Sequence, residues 1–202
     1  GAVPAGFLAL EARRVEDSEL WRRYAQKCHE VQAKGGCRGL RVKTTEELRG
    51  AAKSELNASV NEVYLFHGTS LESAGGIARA GFRIDLAGSK VGAAYGRGAY
   101  FAERSTKSDE YAQPDAEGRC TMLLCRVCLG EVYRLQEFDT HGERHVLESK
   151  GQYNSLLGDG EARAGTFQEF VLYEASQIYP EYLIVYKRCH CRSPACVACR
   201  RA

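Results

Sequence analysis

Nowhere in this chain does an apolar run approach the roughly 20 residues that a bilayer span requires, so a spanning helix is not expected. No positively charged stretch followed by an apolar one opens it, so no secretory leader is read from its start. Neither sign of charge dominates. With 28 basic and 26 acidic residues the formal net charge is +2, and nothing global points to nucleic acid or a membrane as partner. Internal repeats are absent. The first residue is Gly1 and not Met, which leads us to expect an excised domain. The 202 residues, 44% hydrophobic, suffice for one sizeable core with a short appendage.

Cysteine is plentiful instead, nine in all, an odd number for a disulfide scaffold. Without a leader, a reducing interior is the expected setting, so the protein reads as intracellular, nuclear or cytoplasmic. Cys125 and Cys128 form a C-x-x-C within a strand-like run, where positions three apart face opposite sides, so a chelate there is geometrically poor. They read as small apolar packers. A second cluster, Cys189-His190-Cys191 followed by Cys196 and Cys199, could hold a tetrahedral zinc. Its pairs lie closer together than in a finger, and Arg188, Arg192, Arg200 and Arg201 give it the look of a basic tail.

Local patterns predict a helix from Ser18, with Leu20, Trp21, Tyr24, Cys28 and Val31 at helical spacing and Gly35-Gly36 ending it. Thr44-Thr45-Glu46-Glu47 resembles a capping box opening a second helix to about Asn57. From Glu62 the texture changes to strands punctuated by glycine. Strands are expected at Val63–Phe66, Phe82–Ile84, Ala99–Ala102, a long one at Met122–Leu135, then Phe167–Tyr173 and Tyr182–Tyr186. Helices are expected at Leu71–Ala80 and Ser105–Ala112. Gly88–Gly98 reads as a loop, and Phe138–Ala164 as irregular with a turn at Asp159-Gly160. Short strands with few intervening helices predict an α+β fold with antiparallel sheets, not a doubly wound parallel one. We divide the chain into an N-terminal helical segment at 1–60, a catalytic core at 61–188 and a Cys-rich basic tail at 189–202.

Three strings stand out: His67-Gly68-Thr69 at the end of a strand, Tyr95-Gly96-Arg97-Gly98-Ala99-Tyr100-Phe101-Ala102, and Phe167-Gln168-Glu169-Phe170-Val171. Taken singly each is ordinary. A lone histidine at a strand end is usually structural, and a strand tyrosine, one of eleven here, is usually core. The last string says more. Alternation puts Phe167, Glu169 and Val171 on one face, and a carboxylate between apolar neighbours is costly unless paired or functional. Ser108 and Tyr111 share a helical face three residues apart.

In this order, the three strings resemble the His-Tyr-Glu signature of the poly(ADP-ribose) polymerase family of ADP-ribosyltransferases. The resemblance implies two packed, mostly antiparallel sheets around an NAD cleft with flanking helices, NAD as substrate, and release of nicotinamide. It implies that His67 holds the adenosine-side ribose and that Gly68 offers backbone N–H and C=O to the carboxamide. A side chain at 68 would block so close an approach. Tyr100 and Tyr111 would flank the nicotinamide ring, and Ser108 would complete carboxamide recognition. Glu169 would be the catalytic carboxylate, stabilising the cation that develops on the ribose and, in elongation, polarising an acceptor hydroxyl. Ser70 and Arg83 match the adenosine end less specifically, and Gly88–Tyr95 a mobile covering loop that Tyr95 could help close. Protein acceptors, including the chain itself, are the implied partners.

The short front end and Tyr179-Pro180-Glu181-Tyr182-Leu183-Ile184 look closer to the tankyrases and the small family members. The tankyrase zinc site between the first two motifs is not expected, because no cysteine lies between Cys37 and Cys120. Two other readings stay open: single ADP-ribosyl transfer, and a silent module that binds NAD or ADP-ribose. A dinucleotide-binding oxidoreductase is disfavoured, because Gly92-Ala93-Ala94-Tyr95-Gly96-Arg97-Gly98 lacks the Gly-x-Gly-x-x-Gly fingerprint and its βαβ setting.

Overall fold

A computed structural model of the chain describes residues 4–35, 37–50, 53, 55–86, 94–159 and 167–191. Branched and aromatic residues in short runs suit a pleated surface, and among the described residues they form eight strands in two four-stranded sheets. These are β1 (Gly6–Arg14), β2 (Glu62–Thr69), β3 (Ala99–Phe101), β4 (Arg119–Cys128), β5 (Val132–Leu135), β6 (Ser155–Gly158), β7 (Glu169–Leu172) and β8 (Ile178–Cys189). The first sheet, ordered β1-β8-β4-β2, is antiparallel throughout. In the second, ordered β3-β7-β6-β5, only β5 and β6 run parallel. Helices α1 (Ser18–Ala33), α2 (Lys43–Glu47), α3 (Leu71–Ala80), α4 (Ser105–Asp109) and α5 (Glu143–Leu147) flank them. The fold is α+β, as expected. Among the described residues no helix is long and apolar enough to cross a membrane.

The sheets pack through one apolar core. Leu65, Leu123 and Cys125 from the first meet Phe101, Leu157, Phe170 and Leu172 from the second, all essentially removed from water. Truncating one such leucine to alanine costs about 2–5 kcal/mol, because the cavity left behind collapses only in part. Cys125 belongs to this core, whereas Cys128 packs on the other side with Tyr24, Val60 and Tyr179. The two thiols thus face apart, as strand alternation requires. The sheets also touch directly where Phe66 of β2 forms a bridge with Ala102.

Helix α1 follows its apolar spacing, with Tyr24 and Val31 buried; its cap is Asp17, whose Oδ1 accepts from the N–H groups of Glu19 and Leu20. The glycine stop after α3 also forms, at Gly81 with φ +79°.

Several expectations need correction. Residues 1–60 are not merely helical, because β1 lies within them and pairs with β8 at the edge of the first sheet. The helix expected to run to about Asn57 ends at Glu47, and Leu48 is already extended. Its capping box does not form, because the Thr44 hydroxyl instead donates to the Tyr64 carbonyl. Phe82–Ile84 is not a strand; a 3₁₀ turn occupies Ile84–Leu86. The long strand is broken into β4 and β5 at Gly130, whose φ of +61° extended backbone cannot accommodate, and β8 becomes the longest strand at 12 residues. The stretch from Phe138, expected to be irregular, contains α5 and β6. Its end, like Gly160 of the expected turn, lies outside the described residues.

Candidate active site

The site begins at the outer edge of β2. Phe66 N–H donates to the Ala102 carbonyl at 2.8 Å, and Ala102 N–H returns a bond to the Phe66 carbonyl at 3.0 Å. The backbone groups of Phe66 therefore point away from β4. Those of Gly68, two residues on, are directed to that same edge by the period of the strand. Beyond Ala102 the chain turns into α4, so this edge faces a helix and not another strand. A Cβ at position 68 would lie 1.7 Å from the Ser108 carbonyl oxygen, so only glycine fits. Ser108 is buried and its Oγ donates to the Phe66 carbonyl at 2.9 Å. Backbone N–H, backbone C=O and a serine hydroxyl thus converge at one sheet edge.

Strands β3 and β7 carry the next two groups. Tyr100 pairs in register with Val171, which puts Tyr100, Val171 and Glu169 on one face and turns Phe170 and Leu172 into the core. The Tyr100 hydroxyl is fixed twice, donating to the Gly96 carbonyl at 2.8 Å and accepting from Tyr95 N–H at 2.9 Å. Burial, followed by the Glu169 charge, pushes its ionisation above the usual tyrosine range, so it remains a phenol.

Tyr111 comes from the turn after α4, and its hydroxyl donates to Glu169 Oε1 at 3.0 Å. The Glu169 side chain is 12% exposed and also lies 3.6 Å from Lys107 Nζ. Lys107 in turn sits 5.3 Å from the centre of the Tyr111 ring. Burial alone would lower the Lys107 pKa, but Glu110 and Glu169 more than offset this and push it up to about 12. Lys107 is therefore a permanent cation beside the carboxylate. It was absent from the candidates above, although its place next to Ser108 and four residues before Tyr111 puts it on the same helical face.

His67 lies deeper, its ring packed on Phe82 and Phe101 at 5.1 and 5.4 Å. Its Nδ1 is 2.8 Å from the Tyr100 carbonyl, which can only accept, so Nδ1 carries the proton. Burial lowers its pKa, so the neutral ring presents Nε2 as an acceptor. That suits a hydroxyl donor better than proton abstraction.

The weaker candidates fall elsewhere. Ser70 caps α3, its Oγ accepting from Ser73 N–H at 3.2 Å. Arg83 is exposed and held by Asp85 through Nε at 2.8 Å and Nη2 at 2.5 Å. Tyr95 is not poised to close over the cleft. It is 2% exposed and packed with Val146, Leu156 and Tyr173, because its aromatic bulk fills the outer face of the second sheet. Of the expected covering loop, positions 88–93 lie outside the described residues. So do Cys196 and Cys199, whereas the thiols of Cys189 and Cys191 lie 3.3 Å apart. Among the described residues no group of three or more His, Cys, Asp or Glu assembles as a metal site.

This arrangement has the parts needed to break a glycosidic bond to a flat carboxamide: amide-directed donors and acceptors, two aromatic rings and a carboxylate. The poly(ADP-ribose) polymerase catalytic domain matches residues 8–164. The human protein mono-ADP-ribosyltransferase PARP14 is 32% identical over 191 residues, covering 90% of this chain and 9% of that protein. The mouse protein mono-ADP-ribosyltransferase PARP12 is 28% identical over 181 residues, 89% of the chain and 22% of that protein. The poly [ADP-ribose] polymerase tankyrase of Caenorhabditis elegans is 28% identical over 160 residues, 63% of the chain and 7% of that protein. The chain belongs to the poly(ADP-ribose) polymerase catalytic domain family. It spans less than a quarter of the length of each of these three relatives.

Proposed function

We propose that this chain cleaves NAD, releases nicotinamide and transfers ADP-ribose to protein side chains, itself included. The observation that carries the proposal is Glu169, bonded by Tyr111 and beside Lys107, which lie on the same short segment that brings Ser108 against Gly68. In the proposed mechanism the nicotinamide ring lies between Tyr100 and Tyr111, and its carboxamide bonds to Gly68 backbone and Ser108. His67 Nε2 accepts from the adenosine-side ribose. As the bond to nicotinamide breaks, positive charge grows on the ribose, and Glu169 holds a hydroxyl of that sugar. Its attraction strengthens towards the transition state, which is where a group must act to raise turnover. Ser70 and Arg83 are proposed contacts at the adenosine end.

Because Glu169 can also polarise an acceptor hydroxyl, we read the chain as competent to extend the product towards poly(ADP-ribose). A second reading, single transfer, is favoured by the names of its relatives, since PARP14 and PARP12 are mono-ADP-ribosyltransferases by name. The thiols of Cys28, Cys37, Cys120, Cys125 and Cys128 are unbridged, which supports an intracellular location, nuclear or cytoplasmic. Incubating the purified chain with labelled NAD decides between the readings. A high-mass smear supports elongation and discrete bands support single transfer. Binding of NAD without transfer or nicotinamide release would leave the silent module.

A further inference from the structure

We propose that Arg188, Asp109 and Tyr186 form a positioning device for the nicotinamide half of the cleft, acting through α4. The inference rests on the reading of that cleft given above. Helix α4 is five residues long and no side chain caps its N-terminus. An isolated helix is marginal even at about 12–15 residues, so α4 cannot hold its own shape. Yet it carries Lys107 and Ser108 and leads directly into Tyr111. Its conformation must be imposed from outside.

On one side β2 does this, through the Ser108 hydroxyl and the close approach at Gly68. On the other side the end of β8 supplies a set of convergent bonds. The Tyr186 hydroxyl donates to Asp109 Oδ1 at 2.5 Å, and Arg188 Nε lies 2.8 and 2.9 Å from the two Asp109 carboxylate oxygens. Arg188 Nη2 donates further to the carbonyls of Asp109 at 2.7 Å and Ala112 at 2.9 Å. Asp109 follows Ser108, and Ala112 follows Tyr111. One guanidinium therefore pins the carbonyls of the residues that come directly after both nicotinamide-facing residues.

It also satisfies carbonyls that a helix end leaves without intrahelical partners. Asp109 is 4% exposed, and a carboxylate so buried is tolerated only when paired. The planar guanidinium donates in several fixed directions at once, which the point charge of lysine does not reproduce. Apolar packing would hold α4 near β8 without fixing its rotation. The bonded pair fixes the rotation, and with it the distance from Ser108 and Tyr111 to Gly68. Arg188 is thus the last residue that the cleft requires.

The test uses two probes that report on different halves of the cleft: benzamide, a carboxamide on a flat ring, and ADP-ribose, which lacks the nicotinamide. Calorimetric affinities are measured well below the unfolding temperature for the unaltered chain, Arg188→Lys, Asp109→Asn, and chains ending at Arg188 or at Lys187. Arg188→Lys and the chain ending at Lys187 should bind benzamide about tenfold more weakly and ADP-ribose within about twofold of the unaltered chain. The KM for NAD should rise with the benzamide effect. The chain ending at Arg188 should bind both probes normally. A folded variant in which both probes weaken equally, or neither changes, overturns the proposal. Should the Arg188 variants fail to fold, Asp109→Asn, which keeps shape and one acceptor, is judged by the same two outcomes. An unaltered chain that binds ADP-ribose but not benzamide overturns the reading of the cleft itself.

Discussion

Two clusters in this molecule contain the same chemistry, a glutamate, a tyrosine and a cation, and put it to different use. In one, Glu181 accepts from the Tyr64 hydroxyl at 2.7 Å and from Arg126 Nε at 3.0 Å, while Arg126 Nη2 reaches the Tyr64 oxygen at 3.0 Å. Glu181 is 3% exposed, and the Arg126 guanidinium lies 5.5 Å from the Trp21 ring centre. Burial opposes the charge on Arg126, but Glu181 and Tyr64 more than offset it and raise its pKa. Burial, then the bond to Glu181, pushes Tyr64 up to about 12. Within the trio each group is bonded to the other two. In the other cluster Glu169 has one 3.0 Å bond from Tyr111, the nearest cation stands off at 3.6 Å, and Tyr111 is 38% exposed. That carboxylate keeps capacity for a further donor. The density of mutual bonds, and not residue type, separates the buried trio from the one proposed to be catalytic.

The sharpest way to break this comparison is Arg126→Met. It leaves Glu181 with only the more distant Arg14 at 3.8 Å and takes the cation from buried Glu62, and stability should fall by about 3–5 kcal/mol in a urea titration. Turnover at low temperature should stay near normal. Adding Glu181→Leu should recover part of the loss, since a matched apolar pair avoids burying charge. No recovery would mean that the trio does more than balance itself.

Glu169→Gln should show the reverse pattern. Turnover should drop roughly 10²–10³-fold, as when one transition-state-stabilising group is removed, while NAD affinity and the urea midpoint barely move. Elongation should suffer more than the first transfer. Near-normal turnover in this variant would remove Glu169 from catalysis.

Lys107→Met is expected to be milder. A rate loss of about tenfold should appear in single-turnover transfer, because Lys107 acts on Glu169 only as a charge 3.6 Å away and not through a hydrogen bond. A loss as large as that of Glu169→Gln would make Lys107 a full partner in the chemistry.

The smallest effect concerns pH. The folded His67 ring binds a proton less readily than its ordinary pKa of 6.5 implies, because it is buried. The unfolded chain therefore takes up more protons below that value, so the His67 contribution is complete above it and is lost as pH falls. Urea midpoints compared at about pH 8 and about pH 5.5 should show a smaller acid-side loss in His67→Asn than in the unaltered chain.

Much of the site was legible because its signals are short in range. The His67-Gly68 pair, the glycines before Tyr100 and the alternation around Glu169 each occupy a few consecutive residues. The period of a strand or helix then says which of them share a face. Features that depend on two distant segments were not legible. Tyr95 reads like a loop aromatic until the outer face of the second sheet closes over it. Arg188 and Asp109 are 79 residues apart, and nothing local to either marks the other. The failed capping box at Thr44 has the same origin, since the Tyr64 carbonyl of β2 took the hydroxyl that local preference had assigned to the helix start.

By itself, the sequence determined which chemical groups are available and which way each points along its own element, because side-chain direction follows from backbone period alone. It determined in this way that Tyr100 and Glu169 each share a strand face with known neighbours, and the order of the motifs around Gly68, Tyr100 and Glu169 carried the family resemblance. Only the tertiary structure decided that β2 would be an edge strand with Gly68 facing a helix, that Lys107 would stand beside Glu169, and that β8 would reach back to hold α4. Those outcomes depend on sheet order and register, which are set by the burial of two apolar faces against each other over the whole chain. The same burial closed one Glu-Tyr-cation trio into mutual bonds and left Glu169 of the other with a single bond, from Tyr111.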